Sequence, residues 1–255
     1  MTFDSLDFIG ASSTPPGLGL FEQYQDRQSL THAVSSRMVD LVGEAFRRKG
    51  RASLALAGGR TPLEIYQRLA AWPLRWDWVD VTLTGEGWVN RTSLERCANM
   101  VRHRLLTDNA AQANFIPFVP AWEDDPGHAA LVHSVWNADR AVRALGQFDC
   151  VLLGMGLDGH IASIFPNNPA NHLLLDPENP NSCQLSPAHP GGPRQPRISL
   201  TLGEILRSRK VMLVIRGKRK FELLRRALAT PDPGGVPVAA LLHQDRNPVE
   251  VFWSL

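Results

Sequence analysis

An aspartate and a histidine two residues apart, Asp158 and His160, are the pair of side chains in this 255-residue chain best suited to proton transfer. They lie in Leu153-Gly154-Met155-Gly156-Leu157-Asp158-Gly159-His160-Ile161-Ala162-Ser163-Ile164-Phe165-Pro166, directly after an apolar run from Phe148 that reads as a buried strand. Imidazole serves as a base near neutral pH, and a neighbouring carboxylate orients it or lies beside the reacting group. The glycines at 154, 156 and 159 free the backbone for positive φ and close approach at the strand's tip. A second segment, Gly58-Gly59-Arg60-Thr61-Pro62, falls between another apolar strand and a helix start. Successive N–H groups at a helix N-terminus bind phosphate. Taken alone, the segment reads as an ordinary tight turn between strand and helix.

The elements that must position these groups alternate along the chain. Leu30, Val34, Met38, Leu41, Val42, Ala45 and Phe46 recur at helical spacing, and Gly50 suits the position just past that helix. A buried-type strand covers 52–57. Thr61 and Glu64 have capping-box spacing, with Pro62 at the first helical position. Strands are expected over 80–84, 148–153, 197–201, 211–215 and 249–253, and helices over 93–106, 128–145 and 218–229, with a short one between 201 and 211. Residues 167–196, rich in Pro, Asn and Gly, read as one long functional loop. The alternation predicts an α/β fold of three layers, a mostly parallel sheet with helices on both faces. Ligands then bind beyond the carboxyl ends of the strands. Residues 1–20 read as a Ser/Pro/Gly-rich extension and 21–255 as a single domain.

Composition narrows the function. A net charge of +2 without a clustered basic patch argues against a nucleic-acid partner. No apolar run approaches membrane-spanning length, and the first residues lack the basic start of a secretory signal. Three cysteines, Cys97, Cys150 and Cys183, with no C-x-x-C spacing, suit a reducing compartment, so the cytoplasm is expected. Cys150, inside an apolar strand, reads as an inert buried thiol. The eight histidines include no H-x-x-x-H pair, and no Cys/His cluster has structural-zinc spacing. Oligomeric state is left open.

Gly154-x-Gly156-x-x-Gly159 also fits a dinucleotide-binding fingerprint, but that fold needs a helix starting at the third glycine, and Pro166 and Pro169 interrupt one. The whole segment instead resembles the signature of the 6-phosphogluconolactonase family, L-G-x-G-x-D-G-H-x-A-S-x-F-P. Related glucosamine-6-phosphate deaminases carry A-F-N-E-P at its end, whose Glu this chain lacks. The resemblance extends from about Leu20 to Trp253 and takes in Trp76-Asp77-Trp78-Val79 and Val236-Pro237-Val238-Ala239. It implies that Gly58, Gly59, Arg60 and Thr61 form the family's sugar-phosphate loop. Arg197, in Arg197-Ile198-Ser199-Leu200-Thr201, and Lys220, three after Gly217, match the elements whose cations face the phosphate. Lys218 and Arg219 read as a solvated helix face. The implied reaction is hydrolysis of 6-phospho-D-glucono-1,5-lactone in the oxidative pentose phosphate pathway. His160 would be general base, Asp158 its orienting partner, and backbone N–H groups near Gly156 oxyanion donors. The implied partner is this small sugar phosphate, and no cofactor is needed.

One motif departs from the family. After the 80–84 strand the pattern D-E-R-W-V-P is expected, and the chain has Gly85-Glu86-Gly87-Trp88-Val89-Asn90. The missing Asp and Arg are expected near the lactone end of the substrate. The departure predicts reduced activity, or alternatively a binding protein that keeps the fold without the catalysis. Arg91 in the same loop and Arg60 are the cations that sequence alone offers as substitutes.

Overall fold

The computed structural model describes residues 14–122 and 127–255; residues 1–13 of the expected extension lie outside the described residues. Nearly every residue of β2 (Ala52–Leu56), β3 (Val79–Leu83), β6 (Cys150–Gly154), β9 (Val211–Arg216) and β10 (Val249–Ser254) is buried. Strands with no solvated face need cover on both sides, as in the parallel sheets of α/β proteins. With β1 (Leu18–Tyr24) and β5 (Asn114–Ile116) they form a seven-stranded, fully parallel sheet in the order β1-β10-β9-β6-β2-β3-β5. Leu18, Gly19 and Leu20, read from sequence as extension, are residues of β1, and Leu18 and Leu20 pair with β10 on either side of a register shift.

The longest helix, α1 (Arg27–Lys49), buries the expected stripe from Leu30 to Ala45. Asp26 and Ser29 cap its start reciprocally, and Gly50 ends it at φ 73°. The other helices are α2 (Leu63–Ala70), α3 (Cys97–Arg104), α4 (Gly127–Leu145), α5 (Asn171–Leu174), α6 (Leu202–Arg207), α7 (Lys218–Ala229) and α8 (Val238–Leu242). The capping box expected at Thr61 and Glu64 does not form: α2 starts without a side-chain cap, and the Glu64 carboxylate pairs with Arg27 instead.

Two expectations are corrected. The 197–201 strand is not part of the parallel sheet. Its observed span, β8 (Arg197–Leu200), lies between β4 (Gly85–Gly87) and β7 (Cys183–Ser186) in a separate antiparallel sheet. Residues 167–196 are not one long loop, for they contain α5 and β7. Their asparagines, which resembled loop composition, are ties. Asn168 donates to Ser186 and Pro187, Asn171 to the Phe165 carbonyl and Asn179 to that of Leu173.

Strand order places the functional site. From β2 the chain moves to β3 and β5 on one side, then returns to β6 on the other and continues to β9 and β10. The order reverses between β2 and β6, and the crevice beyond the carboxyl ends there is where such sheets bind ligands.

Candidate functional site

A cleft of about 790 Å³ opens at that reversal. Gly58, Gly59, Arg60 and Thr61 line it from the end of β2, Gly85 from β4, Gly156 and His160 from the loop after β6, Arg197 from β8 and Lys220 from the first turn of α7. The fold thus gathers the sequence-expected residues into one place, and Asp158 reaches the cleft through His160. No helix starts at Gly159, where a dinucleotide fold would need one; the next helix is α5.

Asp158 Oδ1 is 2.7 Å from His160 Nδ1 and also accepts the His160 backbone N–H at 3.2 Å. Burial alone would raise the Asp158 pKa, but the hydrogen bond and charge of His160 outweigh it and hold the carboxyl below its ordinary value. A carboxylate on Nδ1 selects the tautomer that leaves Nε2 as proton acceptor. Glycine at 156 is required by close approach. A Cβ there would lie 2.2 Å from both Asp158 Oδ1 and His160 Nδ1. Gly159 turns the chain at φ 86°. Of the backbone N–H groups near Gly156 expected to serve an oxyanion, that of Gly156 itself is engaged, donating to the His160 carbonyl at 2.9 Å.

Lys220 is half-buried beside like charges. Burial first, then Arg60 and Arg216, lower its pKa, against the opposing charge of Asp158. Crowded cations at the N-terminus of α7, beside the glycine loop, suit a phosphate dianion. Arg197 donates from Nε to Ser163 Oγ at 2.8 Å, and its Nη2 lies 3.8 Å from the weak acceptor Cys97 Sγ.

Glu86 explains why the middle of the departed motif persists. Fully buried, its carboxylate accepts the N–H groups of Gly87, Cys97 and Ala98 at 2.8–2.9 Å, so it caps α3, which forms a cleft wall. Burial raises its pKa ahead of the three backbone donors and Arg197, which pull it down. Glu86→Gln keeps the shape but turns an NH₂ toward one of those N–H groups. It is expected to destabilise the fold by about 1–3 kcal/mol in denaturant titrations. The raised folded-state pKa also means that wild-type stability falls as pH rises from the ordinary glutamate range to the raised value, and the glutamine variant loses that slope.

The rest of that wall, Met100, His103 and Arg104, was not singled out in sequence. The helix was legible, but which face meets the cleft depends on the cap at Glu86. Cys97 also lines the cleft, and burial, ahead of the Glu86 charge, pushes its thiol up to about 12, so it is no nucleophile at neutral pH. Cys150 is fully buried in β6, with its thiol likewise pushed up. Among the described residues no helix is long and apolar enough to cross a membrane, and no group of three or more His, Cys, Asp or Glu gathers as a metal site.

Comparison with known proteins agrees with this geometry. The family model for glucosamine-6-phosphate isomerases/6-phosphogluconolactonase matches residues 25–253. A 6-phosphogluconolactonase of Caulobacter vibrioides is 37% identical over 233 residues, 91% of this chain and 96% of that protein. One of Mesorhizobium japonicum is 37% identical over 232 residues, 91% and 93% of the two chains. The crystal structure of a 6-phosphogluconolactonase from Shewanella baltica superposes with a TM-score of 0.83 at 29% identity, covering 94% of this chain and all of that one. With the Asp-Gly-His loop, the glycine turn and the α7 lysine converging on one cleft, the chain belongs to the glucosamine-6-phosphate isomerase/6-phosphogluconolactonase family.

Proposed function

We propose that the protein hydrolyses 6-phospho-D-glucono-1,5-lactone to 6-phospho-D-gluconate, a step of the oxidative pentose phosphate pathway. The observation that carries this reading is the Asp158–His160 pair, facing the glycine loop and Lys220 across one cleft. His160 Nε2 takes a proton from water as the water oxygen attacks the lactone carbonyl carbon. The tetrahedral intermediate then collapses, the ring C–O bond breaks, and the imidazolium returns the proton to the departing ring oxygen. Asp158 stabilises the imidazolium formed in between. The Gly58–Thr61 turn, Arg60, Arg197 and Lys220 hold the phosphate, and binding energy spent there positions the distant carbonyl. Ester hydrolysis by this route needs no cofactor, and the partner is the small sugar phosphate, with no role for nucleic acid or membrane. A cytoplasmic site of action fits the reduced cysteines.

Deaminase chemistry is disfavoured because Phe165-Pro166 stands where the deaminases carry Glu-Pro. The non-catalytic alternative is disfavoured by the intact Asp–His pair and by the relatives named above. The deciding assay uses freshly prepared lactone, with product detected by coupled oxidation of 6-phosphogluconate and glucosamine 6-phosphate as control. Enzyme-dependent lactone loss without ammonia release is expected; ammonia release alone would refute the reading. Lys220→Ala is expected to weaken binding of 6-phosphogluconate by about 1.5–3 kcal/mol, the scale of hydrogen bonds to charged groups. Calorimetry should show little change for unphosphorylated gluconate, and equal losses for both ligands would remove Lys220 from the phosphate site.

A further inference from the structure

His189 lies outside the cleft lining, in the connection from β7 to β8, yet it grips the end of the Asp-Gly-His loop. The segment His189-Pro190-Gly191-Gly192 builds the turn that carries it. Gly192 donates its N–H to the His189 carbonyl at 3.1 Å and Gly191 sits at φ 81°, as in a type II turn with proline at its second position. Gly192 leaves room for the imidazole, since a Cβ there would lie 2.1 Å from His189 Cε1. From this seat His189 Nε2 is 3.0 Å from the Pro166 carbonyl, and Nδ1 is 3.2 Å from Asn168 Nδ2. The Asn168 amide has a fixed orientation, because its Oδ1 accepts the Ala170 N–H at 2.9 Å while Nδ2 donates to Ser186 and Pro187. Nδ1 of His189 therefore accepts, and the Nε2–H donates to Pro166. Asn171 Nδ2 donates to the preceding carbonyl, that of Phe165, at 3.0 Å. Two side chains from beyond the loop thus hold two successive carbonyls. The Phe165 ring lines the cleft with its centroid 4.5 Å from that of His160. The Asp158 end of the loop is anchored separately, by the Val238 N–H on the Gly159 carbonyl at 3.0 Å.

We propose that His189 is a positioning residue for His160, acting through Pro166 and the Phe165 ring. Asp158 holds one nitrogen of the proposed base, and Phe165 sets the plane of its ring. Phe165 is partly exposed at the cleft, so its ring depends on the backbone beneath it, and His189 with Asn171 fixes that backbone. A shift of Phe165 tilts His160 Nε2 away from the attacking water, which costs rate without disturbing the groups proposed to hold the phosphate. This rests on the lactonase reading, which the wild-type assay tests separately.

The test compares wild type, His189→Asn and His189→Gln. Asparagine puts its amide near the Nδ1 position and nothing at Nε2, so the Pro166 contact is lost; glutamine reaches the Nε2 position and keeps a donor there. His189→Asn should lower kcat on the lactone about tenfold, with KM changed less than about threefold. His189→Gln should recover most of that loss. In a Phe165→Leu background, His189→Asn should have little further effect, since its influence runs through that ring. Proton NMR should show the Cε1–H signal of His160 displaced in His189→Asn and restored in His189→Gln. Equal activity of the three proteins, a change confined to KM, or additive losses with Phe165→Leu overturns the proposal. If His189→Asn does not fold, Gly192→Ala decides, because its methyl displaces the imidazole. A fall in kcat then supports the proposal, and an unchanged kcat overturns it. A wild type that does not hydrolyse the lactone sinks the lactonase reading instead. The His160 signal then decides, and an unmoved signal in His189→Asn overturns this proposal as well.

Discussion

The His160→Asn protein is expected to hydrolyse the lactone about 10²–10⁴-fold more slowly than wild type, the usual cost of losing a general base. Asparagine can still donate to Asp158, so the loop keeps a partner for its carboxylate, but no atom is left to take a proton from water. His160 is only partly buried, and its main packing is against Phe165. Melting temperature should therefore change little, and 6-phosphogluconate should bind nearly as before. Because the lactone also opens spontaneously, the comparison is of enzyme-dependent rates. A variant with near wild-type kcat would show that the proton acceptor lies elsewhere.

Gly156→Ala should fall about 10²-fold in kcat, with every proposed catalytic side chain still present. The added methyl would sit 2.2 Å from both atoms of the Asp158–His160 hydrogen bond, so the pair must part or the loop must shift. Displacement of a reacting group by about 1 Å is enough for a loss of this size. A reverse turn with the same backbone could accept alanine, so the effect comes from the pair packed against the glycine. The cations proposed to hold the phosphate, on β8 and α7, are anchored elsewhere, so KM should change less than kcat. Equal losses in both, or a globally unfolded protein, would mean that Gly156 shapes the loop and not the pair.

Much of this was legible in the chain. Short apolar runs alternating with helical stripes dictated an α/β protein, since a sheet buried on both faces needs helices between its strands. Asp158, His160 and the glycines around them declared a base and its orienter because they are neighbours in sequence, and proton-transfer chemistry restricts the residue types that serve. The glycine turn before α2 and the lysine in the first turn of α7 were singled out only through the family resemblance, since alone the turn reads as an ordinary one. What stayed hidden was pairing. Periodicity reports how a strand is buried but not which strand lies beside it, so β8 was assigned to the parallel sheet although it pairs with β4 and β7. For the same reason only the ladder that sets Gly87 opposite Arg197 shows that a guanidinium lies beside that glycine. The commitment of the Gly156 N–H to the His160 carbonyl was equally invisible, because backbone hydrogen bonds within an irregular loop follow from its dihedral angles. Sequence determined which groups can react; the tertiary structure decided which of them meet, because contacts between distant segments are set by strand order and register, which no local pattern encodes.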